Sequence, residues 1–322
     1  MKKRRVIVIM GGPSSEHGVS LNTGKEVIKH LDRNKYEVDS IIVPRKGNWF
    51  FPRARMNGAV VFIAMHGEFG EDGILQGLLE SSRLPYTGSG VLASALGMDK
   101  LRQAVLFRQA GLVVPEFAVI KKQDWLSDKS RAVLRITGGF SFPLVIKPAN
   151  RGSSVGVSIV KKKNGLRNAL NSAFSYSNSV LVQKFIRGRE MTCGVVEGAT
   201  GTLLPLPPVE ILTKAGTFYD YQSKYADGGS KHIIPPGNVP EILIKKIQDA
   251  ARLTHNIIGC RGMSRTDIIL SANGKIHILE INTLPGMTST SLLPESAKAA
   301  GIGFSELLDL MIESALRKQQ TT

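Results

Sequence analysis

The stretch RTDIILSANGKIHILEINTLPGM occupies residues 265–287, and the rest of the chain is best interpreted outward from it. Two apolar, β-branched runs flank the dipeptide Asn273-Gly274, which is typical of a tight hairpin turn. In the second run, Glu280 and Asn282 are two residues apart and therefore face the same side of a strand. Asp267, in the first run, can reach that side from the partner strand. The stretch thus predicts three oxygen-bearing side chains on one face of a β-hairpin.

Three such side chains are costly to dehydrate together unless a cation lies between them. Their oxygens suit Mg²⁺, which is usually held by one or two carboxylates together with substrate phosphates. The sequence therefore predicts a metal site for Mg²⁺, with Mn²⁺ as the alternative ion, at Asp267, Glu280 and Asn282. A purely structural carboxylate cluster is the other interpretation, although Arg265 could pair with one acid but not with both.

Length and composition indicate a soluble enzyme of two or three domains, because the chain has 322 residues, of which 42% are hydrophobic, and domains typically span about 100–200 residues. The apolar run Val6–Met10 follows a basic start but stops at Gly11, too early for a signal peptide. No apolar stretch approaches the about 20 residues of a membrane span. Cys193 and Cys260 show no zinc-ligand spacing, so we expect a reducing, cytoplasmic setting without membrane association.

The formal net charge of +16 raises nucleic-acid binding as a rival function. The basic residues, however, are spread along the chain, and neither a zinc-finger spacing nor an RNA-recognition aromatic motif is present. Scattered charge of this kind is typical of a solvated surface, and it would also favour phosphate-bearing substrates. We therefore expect no nucleic-acid partner.

The chain divides into three stretches, with predicted boundaries near residues 90 and 187. Residues 1–90 alternate strands and helices, which predicts a doubly wound parallel sheet. Residues 91–187 begin with a predicted helix near Met98–Ala110 and then become rich in strands. Residues 188–322 contain a predicted strand over Thr202–Ile211, the hairpin and a final helix. The sequence predicts an α/β fold in which a parallel-sheet domain precedes two β-rich domains.

Two short motifs have ordinary structural interpretations. Gly88–Ala93 fits the dinucleotide-binding pattern GxGxxA, but no acidic residue ends a following strand about 20 residues on. We interpret it as the start of a helix. Gly152–Gly156 fits the nucleophile-elbow pattern GxSxG, which requires a helix after it. Val157–Val160 has the character of a strand, so the motif is predicted to be the tip of a hairpin.

A Gly/Ser-rich tip between strands can close over phosphate oxygens with its backbone N–H groups. Lys147 ends the apolar strand just before the tip, and we favour a phosphate ligand over a solvated lysine at this position. Further on, the apolar run 181–186 leads into a linker that contains Glu190. Such a strand could seat an adenine, and the acid could bind a ribose hydroxyl.

These features together resemble the ATP-grasp ligases, and among them the D-alanine–D-alanine ligase family over essentially the whole chain. The motifs that carry this closer resemblance are Gly11-Gly12-x-Ser14-x-Glu16, His66-Gly67-x-x-Gly70-Glu71-Asp72-Gly73, Pro85-Tyr86-Thr87-Gly88, Met98-Asp99-Lys100, and a segment from Gly216 to Tyr225. The motifs are long, they occur in order, and they span all three stretches.

The resemblance implies an ATP-grasp fold and a two-step reaction for peptidoglycan precursor synthesis. ATP would phosphorylate the carboxylate of one D-alanine, and the amine of a second D-alanine would attack the acyl phosphate, giving D-alanyl-D-alanine, ADP and phosphate. Phosphoryl transfer to a carboxylate brings two anions together, so lysines and two Mg²⁺ ions would neutralise the charge. Asp267, Glu280 and Asn282 would hold these ions, with Glu280 shared. The family also tends to form homodimers.

The resemblance places ATP against the lysine of the Met98-Asp99-Lys100 motif, the Gly/Ser tip with the lysine before it, and the segment 183–190. These residues are Lys100, Lys147, Ser153, Ser154, Gln183, Lys184, Ile186 and Glu190. The lysines would contact the phosphates or the adenine region, and Glu190 the ribose. Gln183 departs from the family, which usually has an acid at that position, so the adenine contacts are left open.

The resemblance also assigns the amino-acid sites. Glu16 would pair with the ammonium of the first substrate, close to His66. Arg265 and the backbone N–H of Gly286 would stabilise the tetrahedral oxyanion. Ser291 and the amide of Leu292 would bind the carboxylate of the second substrate.

A loop would complete the site from residues further along the chain. Glu16, Ser153 and Tyr225 resemble a hydrogen-bonded trio in the family, and Lys224 would contribute charge. Related depsipeptide ligases, which prefer D-lactate, carry a histidine where this chain has Tyr225. The phenol therefore predicts an amine, and not a hydroxy acid, as the second nucleophile.

Each of these side chains also has a structural interpretation. Taken alone, Glu16 could cap a helix, His66 could be a structural residue at a strand end, and Ser291 could cap the turn before Pro294. Two other functions also remain open at this point: an ATP-grasp ligase with a different product, and a binding protein without catalysis.

Overall fold

The structure is a computed structural model that describes residues 3–46, 52–213 and 230–319. The described strands form three sheets, which follow one another along the chain. The first sheet is parallel and the other two are antiparallel. Each sheet falls within one of the three stretches predicted from the sequence.

The first sheet is parallel because helices connect its strands. Its elements are β1 (Arg4–Gly11), α1 (His17–His30), β2 (Tyr36–Val43), α2 (Arg53–Met56), β3 (Val60–Ile63) and α3 (Ile74–Ser81). The strand order is β2-β1-β3. Val6, Ile7, Val8 and Ile9 in β1 are fully buried, as expected for a central parallel strand that is covered on both faces.

The second sheet is antiparallel and has the order β4-β7-β5-β6. Two helices precede it, α4 (Val91–Gly97) and α5 (Lys100–Gln109), and the remaining elements of this stretch are β4 (Phe117–Lys121), α6 (Lys122–Ser127), α7 (Lys129–Gly139), β5 (Leu144–Pro148), β6 (Ser158–Val160), α8 (Leu166–Phe174) and β7 (Ser179–Lys184). Helices α6, α7 and α8 contribute to a core that contains the buried Trp125.

The third sheet carries the acidic hairpin. Its elements are β8 (Gly188–Glu197), β9 (Leu203–Pro205), β10 (Val209–Thr213), β11 (Ser230–Ile233), α9 (Glu241–Ile258), β12 (Met263–Ser271), β13 (Ile276–Asn282), α10 (Leu292–Ala299) and α11 (Phe304–Gln319). The strand order is β11-β10-β8-β12-β13, and β9 pairs with β8. The hairpin β12–β13 therefore forms one edge of this path, and β11 forms the other.

Two predicted turns are confirmed. Strands β12 and β13 are antiparallel, and Gly274 takes a left-handed conformation with φ +77° in the turn between them. Strands β5 and β6 are also antiparallel, so Gly152–Gly156 is the tip of a hairpin and not a nucleophile elbow. The motif Gly88–Ala93 leads into α4, as the helix-start interpretation predicts.

Other local predictions were wrong in detail. The predicted strand Thr202–Ile211 is two strands, β9 and β10. Pro207 and Pro208 lie between them, and proline has no N–H to donate to a strand partner. The helix predicted near Met98–Ala110, in contrast, is confirmed as α5, and the Asp99 side chain caps its first turn by accepting a hydrogen bond from the Arg102 N–H. Helices α6 and α7 have no counterpart in the prediction.

Some helices pack in the core of a sheet that belongs to another stretch of the chain. Residues of α4 and α5, such as Ala93 and Phe107, pack in the core of the third sheet. Leu307 and Met311 of α11 return to the core around β1. The predicted domain limits at residues 90 and 187 stay a prediction, while the packing shows that neighbouring stretches share helices. In the part of the chain that is described, no helix is both long and apolar enough to cross a membrane.

Candidate active site

A cleft of about 960 Å³ is lined by residues from all three stretches of the chain. Many of the residues predicted from the sequence line it: Glu16, His66, Lys100, Ser153, Arg265, Glu280, Asn282, Gly286, Ser291 and Leu292. A smaller space of about 30 Å³ is lined by Lys147, Ser154, Glu190 and Asp267, among others. Lys100 and Glu280 line both spaces, which are therefore neighbours. The tertiary structure brings most of the predicted site residues to one region.

The acidic face of the hairpin results from the pairing of β12 with β13. Asp267 lies opposite Glu280, and Arg265 lies opposite Asn282. Since directly opposite residues in a ladder point to the same face, the two carboxylates and the amide share one side of the sheet. The Asp267 and Glu280 side chains are only 18% and 24% exposed, so their charges require compensation.

Basic groups provide part of that compensation. The Arg265 guanidinium makes two hydrogen bonds to Asp267, from Nε at 2.9 Å and from a terminal nitrogen at 3.0 Å. The Thr192 hydroxyl donates to the same carboxylate at 2.8 Å. The Lys100 ammonium lies 2.8 Å from a Glu280 oxygen. Each acid thus has a cationic neighbour within the cleft.

The donor set also fits a hard divalent cation. Asp267 and Glu280 supply carboxylate oxygens across one strand pair, and Asn282 supplies an amide oxygen two residues further on. That amide oxygen accepts a hydrogen bond from the Leu284 N–H at 2.9 Å, which fixes its orientation. Oxygen donors of this kind, with room for phosphate oxygens beside them, match the preference of Mg²⁺.

The Gly/Ser tip contacts Glu16, which lies just before α1. Ser153 and Ser154 have positive φ angles of 49° and 58°, an uncommon conformation for non-glycine residues that turns the tip sharply. The Ser153 hydroxyl donates to the Glu16 carboxylate, which is buried in the first domain. The Lys100 ammonium donates to the Arg151 carbonyl at 2.8 Å. These contacts hold the tip between the hairpin and the first domain.

A buried group of side chains surrounds His66 next to Glu16. The His66 Nδ1 lies 3.1 Å from a Glu71 oxygen, and Nε2 lies 2.9 Å from the Thr23 hydroxyl. Burial disfavours the charged imidazole, but the hydrogen bond and charge of Glu71, together with the charge of Glu16, outweigh it and raise the pKa of His66. Burial also raises the pKa of the Glu71 carboxyl. The group therefore retains protons more strongly than the same side chains in water.

This upward shift predicts how stability changes with pH. A raised pKa means that the folded state binds the His66 proton more tightly than the unfolded state does. Protonation of His66 therefore stabilises the fold, and this contribution is complete below pH 6.5, the ordinary pKa of histidine. It is lost as the pH rises above 6.5 through the folded pKa, by at most about 1.4 kcal/mol per pH unit for one proton. Urea unfolding between pH 6 and 8 should show the wild type losing stability faster than His66→Gln. Parallel curves for the two proteins would contradict the prediction.

A tight turn from Thr288 to Ser291 precedes helix α10, and Gly286 packs against it. The Ser291 hydroxyl accepts a hydrogen bond from the Thr288 N–H at 3.0 Å, and it makes no capping bond to the helix itself. A Cβ at Gly286 would lie 3.0 Å from that hydroxyl oxygen. The backbone here is therefore closely packed, and the N-terminus of α10 reaches the cleft. Such a terminus favours anionic groups such as a carboxylate.

The remaining predicted ATP residues lie at or just after the C-terminal end of β7, an inner strand of the second sheet. Gln183 is buried opposite Phe117, and Lys184 is half exposed, with its ammonium 3.7 Å from a Glu116 oxygen. Together with Ile186, they lie outside the lining of the two spaces described above. The predicted residues Lys224 and Tyr225 lie outside the described residues.

Comparison with known proteins agrees with this arrangement. The family model "D-ala D-ala ligase N-terminus" matches residues 5–59 and 51–89, and the model "D-ala D-ala ligase C-terminus" matches residues 106–313. The chain belongs to the D-alanine–D-alanine ligase family. Its full-length relatives include the D-alanine–D-alanine ligase of Citrifermentans bemidjiense, which is 41% identical over 320 residues, 99% of this chain and 98% of that protein.

Solved structures of this family have the same fold. The D-alanine–D-alanine ligase from Bacillus anthracis complexed with ATP is 36% identical, with a TM-score of 0.82 over 100% of this chain and 99% of the other. The VanG D-Ala:D-Ser ligase from Enterococcus faecalis is 32% identical, with a TM-score of 0.86 over 98% of this chain and 100% of the other. The predicted ATP-grasp class of α/β fold is confirmed by these likenesses.

Two residues that line the cleft were not predicted from the sequence. His232 and Glu295 both line the cleft, and His232 Nδ1 lies 2.6 Å from a Glu295 oxygen. They are 63 residues apart and belong to no motif, so the sequence alone carried no signal that they meet.

Proposed function

We propose that this chain joins two D-alanine molecules with ATP, through a D-alanyl phosphate intermediate, to give D-alanyl-D-alanine, ADP and phosphate. The observation that supports this most strongly is that the cleft and the smaller space beside it contain the acidic hairpin face, the Gly/Ser tip and the N-terminus of α10. These elements match the three requirements of the reaction: a metal–phosphate site, a phosphate loop and a carboxylate site. Full-length relatives named D-alanine–D-alanine ligase support this choice of reaction.

ATP would lie between the second and third sheets, where Lys147 and Glu190 line the smaller space. Lys147 is almost fully buried at the end of β5, which suits an ammonium directed at phosphate and not at bulk water. Two Mg²⁺ ions held by Asp267, Glu280 and Asn282 would polarise the phosphoryl oxygens and neutralise their charge. Lys100, beside Glu280, would add positive charge at the same point.

The first D-alanine would bind in the deeper part of the cleft. Glu16 would accept hydrogen bonds from its ammonium and keep the substrate carboxylate directed toward ATP. The Ser153–Glu16 contact would align this acid with the Gly/Ser tip, so that nucleotide and amino acid are positioned together. Arg265, already oriented by Asp267, would stabilise negative charge that develops on the substrate oxygens.

The second D-alanine would bind near the N-terminus of α10. The Ser291 hydroxyl and the Leu292 N–H would hold its carboxylate, and its amine would then attack the activated carbonyl. The backbone N–H of Gly286, which packs against Ser291, would stabilise the oxyanion of the tetrahedral intermediate. The proposal also includes the homodimer that the family resemblance implies and the cytoplasmic setting expected from the cysteine content.

The proposed function is tested by phosphate release from ATP and Mg²⁺ with D-alanine, followed by mass analysis of the product. We expect phosphate release that depends on D-alanine and is absent with L-alanine, together with a product of the mass of D-alanyl-D-alanine. D-serine and D-lactate, each mixed with D-alanine, serve as competing acceptors, because one similar structure is a D-Ala:D-Ser ligase. A mixed product in preference to the D-alanine dipeptide would contradict the second-substrate assignment, and no phosphate release would contradict the whole proposal.

A further inference from the structure

A second hydrogen-bonded trio lines the cleft, apart from the Glu16 and His66 groups. The Ser230 hydroxyl lies 3.0 Å from His232 Nε2, and His232 Nδ1 lies 2.6 Å from a Glu295 oxygen. Since an ionised carboxylate can only accept, Nδ1 carries the hydrogen of the shorter bond. The His232 and Glu295 side chains are 16% and 29% exposed. The contact is therefore partly withdrawn from water, where a charge-assisted hydrogen bond is stronger.

The trio connects two parts of the third domain. Ser230 and His232 belong to β11, the edge strand that pairs with β10. Glu295 lies in the first turn of α10, and its backbone N–H donates to the Ser291 carbonyl at 3.1 Å. Glu295 therefore lies one helical turn from the residues proposed to bind the second carboxylate. A change at His232 acts on that helical turn through Glu295.

The charge of Glu295 matters because the proposed site for the carboxylate of the second D-alanine lies beside it. A carboxylate one turn from a site for another carboxylate repels the incoming anion unless a donor or cation compensates it. His232 provides such a donor at 2.6 Å. Lys298, one turn further along α10, also lines the cleft, but its side chain is exposed to solvent. Solvent screening weakens exposed charges, so the partly buried His232 is the better-placed partner.

We propose that His232 is a positioning residue for the second amino acid: by binding Glu295 it holds the N-terminus of α10 and shields the substrate carboxylate from the charge of Glu295. The inference rests on the proposed function and adds a residue that determines affinity at one of its two amino-acid sites. It predicts an effect confined to the second D-alanine. A simple structural link between β11 and α10 would instead alter all substrates together with stability.

The test is steady-state kinetics of the full-length protein over a wide range of D-alanine, which gives separate constants for the first and second D-alanine. We expect His232→Phe to raise KM for the second D-alanine about tenfold, the size expected when a charge-assisted hydrogen bond is lost. The KM values for ATP and for the first D-alanine should not change. Glu295→Gln keeps the hydrogen-bond acceptor and removes the charge, so it should change KM for the second D-alanine much less than His232→Phe does.

The double variant tests whether the charge of Glu295 causes the rise in KM. Adding Glu295→Gln to His232→Phe removes the uncompensated charge, so it should return KM for the second D-alanine toward the wild-type value. Glu306→Gln makes the same chemical change at an exposed position of α11 and is the matched control. Thermal unfolding of each variant reports whether folding is affected.

Several outcomes would overturn the inference. One is a wild-type enzyme that makes the dipeptide while His232→Phe leaves KM for the second D-alanine unchanged. Another is a parallel rise of all three constants with a lower Tm, which would assign a structural role. Hydrolysis of an activated ester that is lost in Ser230→Ala would assign the trio a nucleophilic role instead. Absence of dipeptide formation by the wild type would overturn the proposed function, and this inference with it.

Discussion

Glu280→Gln is expected to lower kcat by about 10²–10³-fold, because the substitution removes one carboxylate charge from the proposed metal site while keeping the size of the side chain. A bound metal contributes several kcal/mol to a transition state of this type, and each 1.4 kcal/mol corresponds to about tenfold in rate. Glu280 lines both spaces of the site and lies 2.8 Å from the Lys100 ammonium. Among the described residues, no other acid lines both spaces.

The measurement is phosphate release with saturating ATP and D-alanine, combined with titration of Mn²⁺ binding in the presence of ATP. The variant should bind the metal–nucleotide complex more weakly and should retain the wild-type Tm within a few degrees. Glu37→Gln, an exposed acid on β2, is the matched control and should keep full activity. Unchanged Mn²⁺ binding with a large loss of activity would show that Glu280 acts without holding the metal.

Arg265→Met is expected to lower kcat by a similar factor, about 10²–10³-fold, the effect of removing one donor to a developing oxyanion. The Arg265 side chain is 13% exposed, and its guanidinium makes two hydrogen bonds to Asp267, so its position in the cleft is fixed. Methionine fills a similar volume without charge or donors. The loss should appear mainly in kcat, because the charge that Arg265 compensates develops in the transition state.

A matched substitution separates this effect from the loss of an arginine in general. Arg252→Met breaks an exposed pair with Asp249 on α9, where the two side chains are 47% and 44% exposed. That variant should keep the wild-type rate, since exposed ion pairs contribute little. A result in which Arg265→Met raises only KM for ATP would place the residue at the nucleotide and not at the oxyanion.

The local elements were predictable wherever short-range chemistry decides them. The Asn273-Gly274 turn specifies the hairpin, because both residues tolerate the left-handed conformation that such turns require. The alternation of strands and helices before residue 90 specifies the parallel sheet. The shared face of Glu280 and Asn282 follows from the period of two along β13, whereas the pairing of Asp267 with Glu280 depends on a register shift between Asp267 and Ile268. The candidate ligands could therefore be predicted from one continuous stretch, but the register that places Asp267 on the face of Glu280 and Asn282 is visible only in the structure.

Other elements depend on contacts that no local pattern contains. The helices over 122–139 bury Trp125 and Ile136 in the core beneath the second sheet. Their apolar faces are formed by a few residues each, and only the packing against the sheet identifies them. The Pro207-Pro208 pair between β9 and β10 divides a run that is mostly apolar. In both cases, burial and the hydrogen-bonding capacity of the backbone outweighed the apolar character on which the prediction relied.

The sequence by itself determined the fold class, the hairpin with its oxygen-bearing side chains, and the family, because these depend on residues that are neighbours along the chain. Only the tertiary structure decided that Ser153 meets Glu16 across 137 residues and that His232 meets Glu295 across 63. The physical reason is that such contacts depend on how three separate cores pack against one another. Packing is set by the shapes and burial of many apolar side chains together, and no short segment of the chain encodes it.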